Sequence, residues 1–129
     1  MAQPDAIDLL NKVRQPFNVN AMAQAAAVAA MEDEEHLAKT RRMLREGRAQ
    51  LMDGMRKLGL DPVESVTNFI LFPFARAAEL TAALTKQKVI IRPMAGFGLP
   101  QHARVSVGTA KENDQFLRAL AAVLPGLTS

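Results

Sequence analysis

Between Thr67 and Val107 three short apolar runs are each cut off by proline or glycine. They are Thr67 to Phe72 before Pro73, Val89 to Arg92 before Pro93, and Ala103 to Val107 before Gly108. Runs this short, bounded in this way, suit strands better than helices. Between the first two lies Ala75 to Gln87, in which Leu80, Ala83 and Leu84 recur at helical spacing. After the third, Thr109 and Glu112 stand at the spacing of a capping box, Thr at the cap and Glu three residues on. The helix it opens carries Phe116, Leu117, Leu120, Ala121 and Leu124 on one face and stops before Pro125-Gly126. A small sheet of such strands must bury one face under helices.

Upstream the chain reads as helices alone. Pro4 suits a first helical turn, and Ile7, Leu9, Leu10 and Val13 give that helix an apolar side until Pro16 breaks it. Asn18 or Asn20 can cap a second helix over 19–31, which is almost all alanine and suggests close packing. Glu32-Asp33-Glu34-Glu35 opens a third, its acids at the positive end of the helix dipole. That helix runs to about Leu58, with Leu37, Leu44, Leu51, Met55 and Leu58 at helical spacing and Gly59 as its stop. It is a spine long enough to cross the domain. The expected fold class is therefore α/β, an α+β two-layer sandwich. A short three- to four-stranded sheet carries helices on one face, preceded by N-terminal helices that include the spine.

With 129 residues, 49% hydrophobic and 22% charged, there is chain for one core. No cysteine is present, which removes disulfides, thiol nucleophiles and thiolate metal sites. A net charge of +3 is a mild balance that does not indicate nucleic acid. Nucleic-acid platforms offer exposed aromatics among basic residues. Here Phe69, Phe72, Phe74 and Phe116 sit in apolar periodic segments that suit a core. The arginines from Arg41 to Arg56 scatter around their helix and suit a solvated surface. The start, Met1-Ala2-Gln3-Pro4-Asp5, lacks the basic and apolar stretches of a signal peptide, and Ala21 to Met31 is too short to span a membrane. The expected location is the cytoplasm, with no membrane and no nucleic acid as partner. His36 and His102 lack metal-ligand spacing, so no metal site is expected; His102, in a loop, suits a surface imidazole more than a phosphate contact.

The candidate chemistry lies in two arginines. Arg104 begins or occupies a strand among Ala103, Val105 and Val107, and Arg92 ends one before a proline that biases it to extended backbone. A guanidinium fork reads carboxylate or phosphate at two points. The plain alternatives are an edge-strand arginine paired with a surface acid and a solvated strand end. The loop between them, Ala95-Gly96-Phe97-Gly98-Leu99-Pro100, lacks the strand-turn-helix setting of a dinucleotide fingerprint and reads as a turn.

Taken in order, R-Q-P-F-N-V-N (14–20), the acidic long helix, L-G-L (58–60), T-N-F-I-L-F (67–72), V-I-I-R-P (89–93), G-L-P (98–100), R-V-S-V-G-T (104–109) and E-N (112–113) resemble the C-terminal small domain of the histidinol-phosphate aminotransferases. These are pyridoxal-phosphate-dependent enzymes of fold type I. The resemblance implies that Arg104 grips the acidic group of the substrate and that Arg92 cooperates with it. Asn18 and Asn68 match family positions as secondary contacts, though a helix cap and a structural hydrogen bond are their plainer roles. The Schiff-base lysine, the pyridine-nitrogen aspartate, the stacking aromatic and the cofactor-phosphate ligands belong to the family's large domain, upstream of the matching segment. None of the six lysines here stands in such a motif, and there is no tyrosine. The expectation is a chain with no catalytic or cofactor-binding residue of its own, unable to transaminate alone.

Residues 1–31 are then the helices at the junction with the large domain, and 32–129 the small domain. The start at Ala2-Gln3-Pro4 enters the family pattern in mid-fold. The expected partners are that large domain or a companion chain, a small acidic substrate, and a second copy in a homo-oligomer. Two other readings stay open: a non-enzymatic oligomerising or partner-binding module on the same fold, and a basic α/β nucleic-acid domain.

Overall fold

The structure is a computed structural model that describes residues 3–15 and 17–127. The expected helix break at Pro16, the family start at Ala2 and the last two positions of the chain lie outside the described residues. The described residues divide into two compact units, parting after Leu37.

The first unit holds α1 (Pro4–Val13) and α2 (Ala21–Met31). Pro4 sits in the first turn of α1. Asn20, not Asn18, caps α2: its Oδ1 accepts the Ala23 N–H at 2.8 Å. Helix α3 (Glu34–Lys57) begins two residues later than its acidic run suggested. Asp33 is consumed as the cap, accepting the His36 N–H at 2.8 Å, and Glu32 closes α2. No residue of α1 or α2 is buried.

In the second unit, β1 (Phe69–Pro73), β2 (Arg92–Pro93) and β3 (His102–Ser106) form an antiparallel sheet in the order β1-β3-β2. Ile70, Phe72, Ala103 and Val105 point to one face and are buried. They join a core with Leu51 and Met55 of α3, Leu80 and Leu84 of α4 (Ala77–Lys86), and Phe116 and Leu120 of α5 (Ala110–Val123). Each large apolar side chain among them contributes about 1.5–3 kcal/mol. Burial on α3 is confined to Gly47, Leu51, Met52 and Met55, so the spine's core contribution comes from its C-terminal half. Ala121, expected inward on α5, is exposed.

Both long segments that precede strands end in the same motif. At the end of α3, Gly59 takes φ +81°, its N–H reaches Arg56 and that of Leu60 reaches Met55. At the end of α4 the pattern repeats with Lys88 at φ 60°, its N–H on Thr85 and that of Val89 on Leu84. These are Schellman closures, the second without the usual glycine. The second explains one departure from expectation. Val89 to Arg92 reads as a strand, but Val89 is spent on closing α4, Ile90 turns out to solvent at 84% exposure, and only Arg92–Pro93 pairs with β3. The expected first strand also shifts, from Thr67–Phe72 to Phe69–Pro73, because the Ser65 and Thr67 hydroxyls both donate to the Phe69 carbonyl and hold the approach as a turn. His102 opens β3 and is not in a loop.

Candidate functional site

The face of the sheet opposite the core carries the candidate site. Along β3 the side chains of His102, Arg104 and Ser106 alternate away from buried Ala103 and Val105. Register fixes the neighbours of Arg104: Leu71 lies directly across on β1 and Arg92 directly across on β2. Residues so paired hold their Cβ atoms about 5 Å apart. The two arginines expected to act together are thus cross-strand partners on one face.

Such a pair is unfavourable unless something negative lies between the charges. Among the described residues the ion pairs are Arg56 with Glu64 and Arg76 with Glu79, and neither Arg92 nor Arg104 has a carboxylate partner. The alternative of an arginine answered by a surface acid is therefore not what the structure contains. Instead each guanidinium lies over an aromatic ring: Arg104 is 4.6 Å from the centroid of Phe69, and Arg92 is 5.8 Å from that of Phe97. A ring face steadies a guanidinium without occupying its edge donors. Phe69 was expected in the core with Phe72, Phe74 and Phe116. It is half-buried on the opposite face, because β1 alternates and Ile70 and Phe72 take the inward positions. Its role under Arg104 is one that sequence periodicity did not reveal.

Arg92 and Arg104 line an open depression of about 250 Å³ with Ile90, Ile91, Pro93 and Ser106. Gly98, at φ +76°, makes the turn that lets 94–101 fold back, so that the Met94 N–H reaches the His102 carbonyl at 3.0 Å. At the far end of β3, Asn113 is buried beside the bend into α5. Its Oδ1 accepts the Gly108 N–H at 3.0 Å, and its Nδ2 donates to the Gly108 carbonyl and to Gln50. The capping box is present as expected: the Thr109 hydroxyl and N–H both donate to Glu112. These bonds, the hydroxyl's foremost, hold the Glu112 carboxyl below the usual carboxylate range.

The secondary candidates fall elsewhere. Asn68 is exposed just before β1, and it is its backbone carbonyl that is used, accepting the Val107 N–H at 2.9 Å. Asn18 is exposed in the first unit, ahead of the cap of α2. Among the described residues no group of three or more His, Asp or Glu side chains is placed to hold a metal ion. No described helix is long and apolar enough to cross a membrane.

The open side of a helix-backed sheet thus carries a strand-borne arginine pair. The model for aminotransferase class I and II matches residues 1–120, and the chain belongs to that family. Over 118 residues it is 52% identical to histidinol-phosphate aminotransferase 2 of Pseudomonas aeruginosa, covering 91% of this chain and 32% of that protein. Over 124 residues it is 45% identical to the histidinol-phosphate aminotransferase of Methylobacillus flagellatus, covering 96% and 34%. The chain thus spans about a third of the length of these relatives. The histidinol-phosphate aminotransferase of Clostridium acetobutylicum superposes with a TM-score of 0.76 at 24% identity, over 95% of this chain and 39% of that one. That of Sinorhizobium meliloti, solved with pyridoxal-5'-phosphate, gives 0.66 at 24% identity, over 96% and 35%.

The family depends on pyridoxal phosphate. The residues of this chain do not fit that group. All six lysines are exposed, none lines the arginine depression, and there is no tyrosine to stack on a ring.

Proposed function

We propose that this chain is the substrate-anion-binding small domain of a histidinol-phosphate aminotransferase and that it does not transaminate by itself. The observation that carries the reading is the cross-strand pairing of Arg92 and Arg104 with no carboxylate between them. In the complete enzyme of the family, the cofactor supplies the electron sink. This chain's part is to bind and orient. Arg104, held over Phe69, presents its fork to the phosphate of histidinol phosphate or to a carboxylate of glutamate, and Arg92 adds charge from the neighbouring strand. One anion site of this kind serves both halves of an amino-group exchange, since either group matches the fork. The cofactor and its lysine come from the large domain, in the same polypeptide or a companion one, and the enzyme works in the cytoplasm.

Two measurements test this. Titration of the isotope-labelled chain with inorganic phosphate is expected to move the Arg104 and Arg92 side-chain N–H resonances, with Arg104→Ala weakening binding by roughly tenfold or more, the worth of a hydrogen bond to a charged group. Incubation with pyridoxal phosphate followed by borohydride is expected to leave no stoichiometric adduct on any one lysine. Such an adduct would overturn the claim that the cofactor chemistry lies outside this chain.

A second reading rests on its own observation. Leu9, Leu10 and Val13 of α1 and Met22 and Met31 of α2 are 58–84% exposed. An apolar surface of this kind is covered in use, either by the rest of the family's chain or by a second copy in an oligomerising module.

A further inference from the structure

The sheet's hydrogen-bond alternation singles out Ser106. The Val107 N–H bonds toward β1, to Asn68, whereas the His102 carbonyl is bonded from the β2 side, by Met94. Odd-numbered residues of β3 therefore face β1 with their backbone groups, and even-numbered ones face β2. Arg104 is paired on that side by Arg92, and the next even residue, Ser106, falls opposite Ile90. Ile90 has left the sheet, and no hydrogen bond joins it to Ser106. The Ser106 N–H and carbonyl are thus unpaired on the β2 side. Among the described residues its hydroxyl has no partner either, and Ser106 stands on the same face as Arg104, roughly 7 Å along the strand. Ser106 lines the arginine depression, and also an adjoining cavity of about 340 Å³ that Lys88 and Glu112 help to line.

We propose that Ser106 is a specificity-determining residue of the anion site, favouring a tetrahedral phosphate over a planar carboxylate. This rests on the reading of Arg92 and Arg104 as an anion pair. A carboxylate offers two oxygens in one plane, and one guanidinium fork satisfies both. A phosphate monoester has three terminal oxygens, of which one must lie outside that plane. Ser106 supplies donors beside the fork, a hydroxyl that rotates to suit and a backbone N–H that the departure of Ile90 leaves free. Glu112, the carboxylate lining the adjoining cavity, has an oxygen held by both the hydroxyl and the N–H of Thr109.

The test is an NMR titration of the full chain, at constant ionic strength, with inorganic phosphate and separately with acetate. Ser106→Ala is expected to weaken phosphate about tenfold, one hydrogen bond to a charged group, and to leave acetate unchanged. Ser106→Thr, which keeps the hydroxyl, is expected to restore phosphate binding. Because Ser106 is exposed, neither change threatens the fold. An Ala variant that binds phosphate like the parent, or weakens both anions equally, overturns the role of Ser106 while the arginine site stands. A parent chain that binds no phosphate, or binds it equally well as Arg104→Ala, overturns the arginine site itself and this inference with it.

Discussion

At the scale of single residues, Arg92 and Arg104 set the mutual repulsion of like charges against the anion binding proposed for them. Like charges directly opposed across a sheet cost about 0.2–1 kcal/mol. Arg92→Gln is accordingly expected to raise stability by roughly that amount in low-anion buffer while weakening phosphate binding. Urea unfolding with and without phosphate checks both signs in one experiment, and loss of stability in the absence of anion would contradict the repulsion. Glu112 sets a pH dependence. Its folded carboxyl titrates below the ordinary value of 4.5, so the capping box contributes fully above that value and fades as pH falls through the folded one. Thermal melts between pH 7 and pH 3 are expected to show a steeper acid loss for the parent than for Glu112→Gln, whose amide does not titrate.

Among the elements, α3 approaches its neighbours through two glycines of different consequence. A Cβ at Gly54 would run into the side chain of Leu117, both methyls and Cγ, which is half-buried and movable. A Cβ at Gly47 would lie 2.6 Å from Val107 Cγ1, 2.9 Å from Asn113 Nδ2 and 3.2 Å from the Gly108 carbonyl, the bend that Asn113 clamps. Alanine gains about 1 kcal/mol of helix propensity at either position. Gly54→Ala is expected to be near neutral, and Gly47→Ala to cost about 1–3 kcal/mol through overpacking against Val107 and the bend that Asn113 holds. Denaturant midpoints rank the two, and a reversed order would mean that the bend yields more readily than Leu117. The closure of α4 invites a complementary change. Lys88 holds φ 60° where glycine is usual, and Lys88→Gly is expected to stabilise by roughly 0.5–1 kcal/mol.

For the whole molecule, exposure decides what is stable. Every buried side chain of the core belongs to residues 51–124, and α1 and α2 bury none. Helices of this length without a packed face are marginal in water. Hydrogen exchange on the isolated chain is expected to show early loss of the α1 and α2 amides and late exchange for β3, α5 and the C-terminal half of α3. Strong protection of α1 or α2, together with a dimer by sedimentation, would favour the oligomerising module instead.

Much of this was legible in the chain itself. Local rules govern caps, turns and periodicity, and so Gly59 and the Thr109–Glu112 box could be read from neighbours a few residues apart, as could the cap of α2 to within Asn18 or Asn20 and the apolar positions Leu51, Met55, Leu80, Leu84, Phe116 and Leu120. The arginines stood out because each stands at the start or end of a short apolar run, where a rigid strand can aim a guanidinium fork at an anion. What lay beyond reach depends on partners distant in sequence. That Arg92 falls opposite Arg104, that Phe69 leaves the core to lie beneath Arg104, and that Ile90 departs and frees the edge of Ser106 follow from strand register. Register is set by tertiary packing of the buried alternates, not by the residues that use it. The sequence alone determined the helices, their stops and which arginines are candidates for the site. Only the tertiary structure decided which side chains share the open face, because a shift of one residue in pairing would send every one of them to the other side.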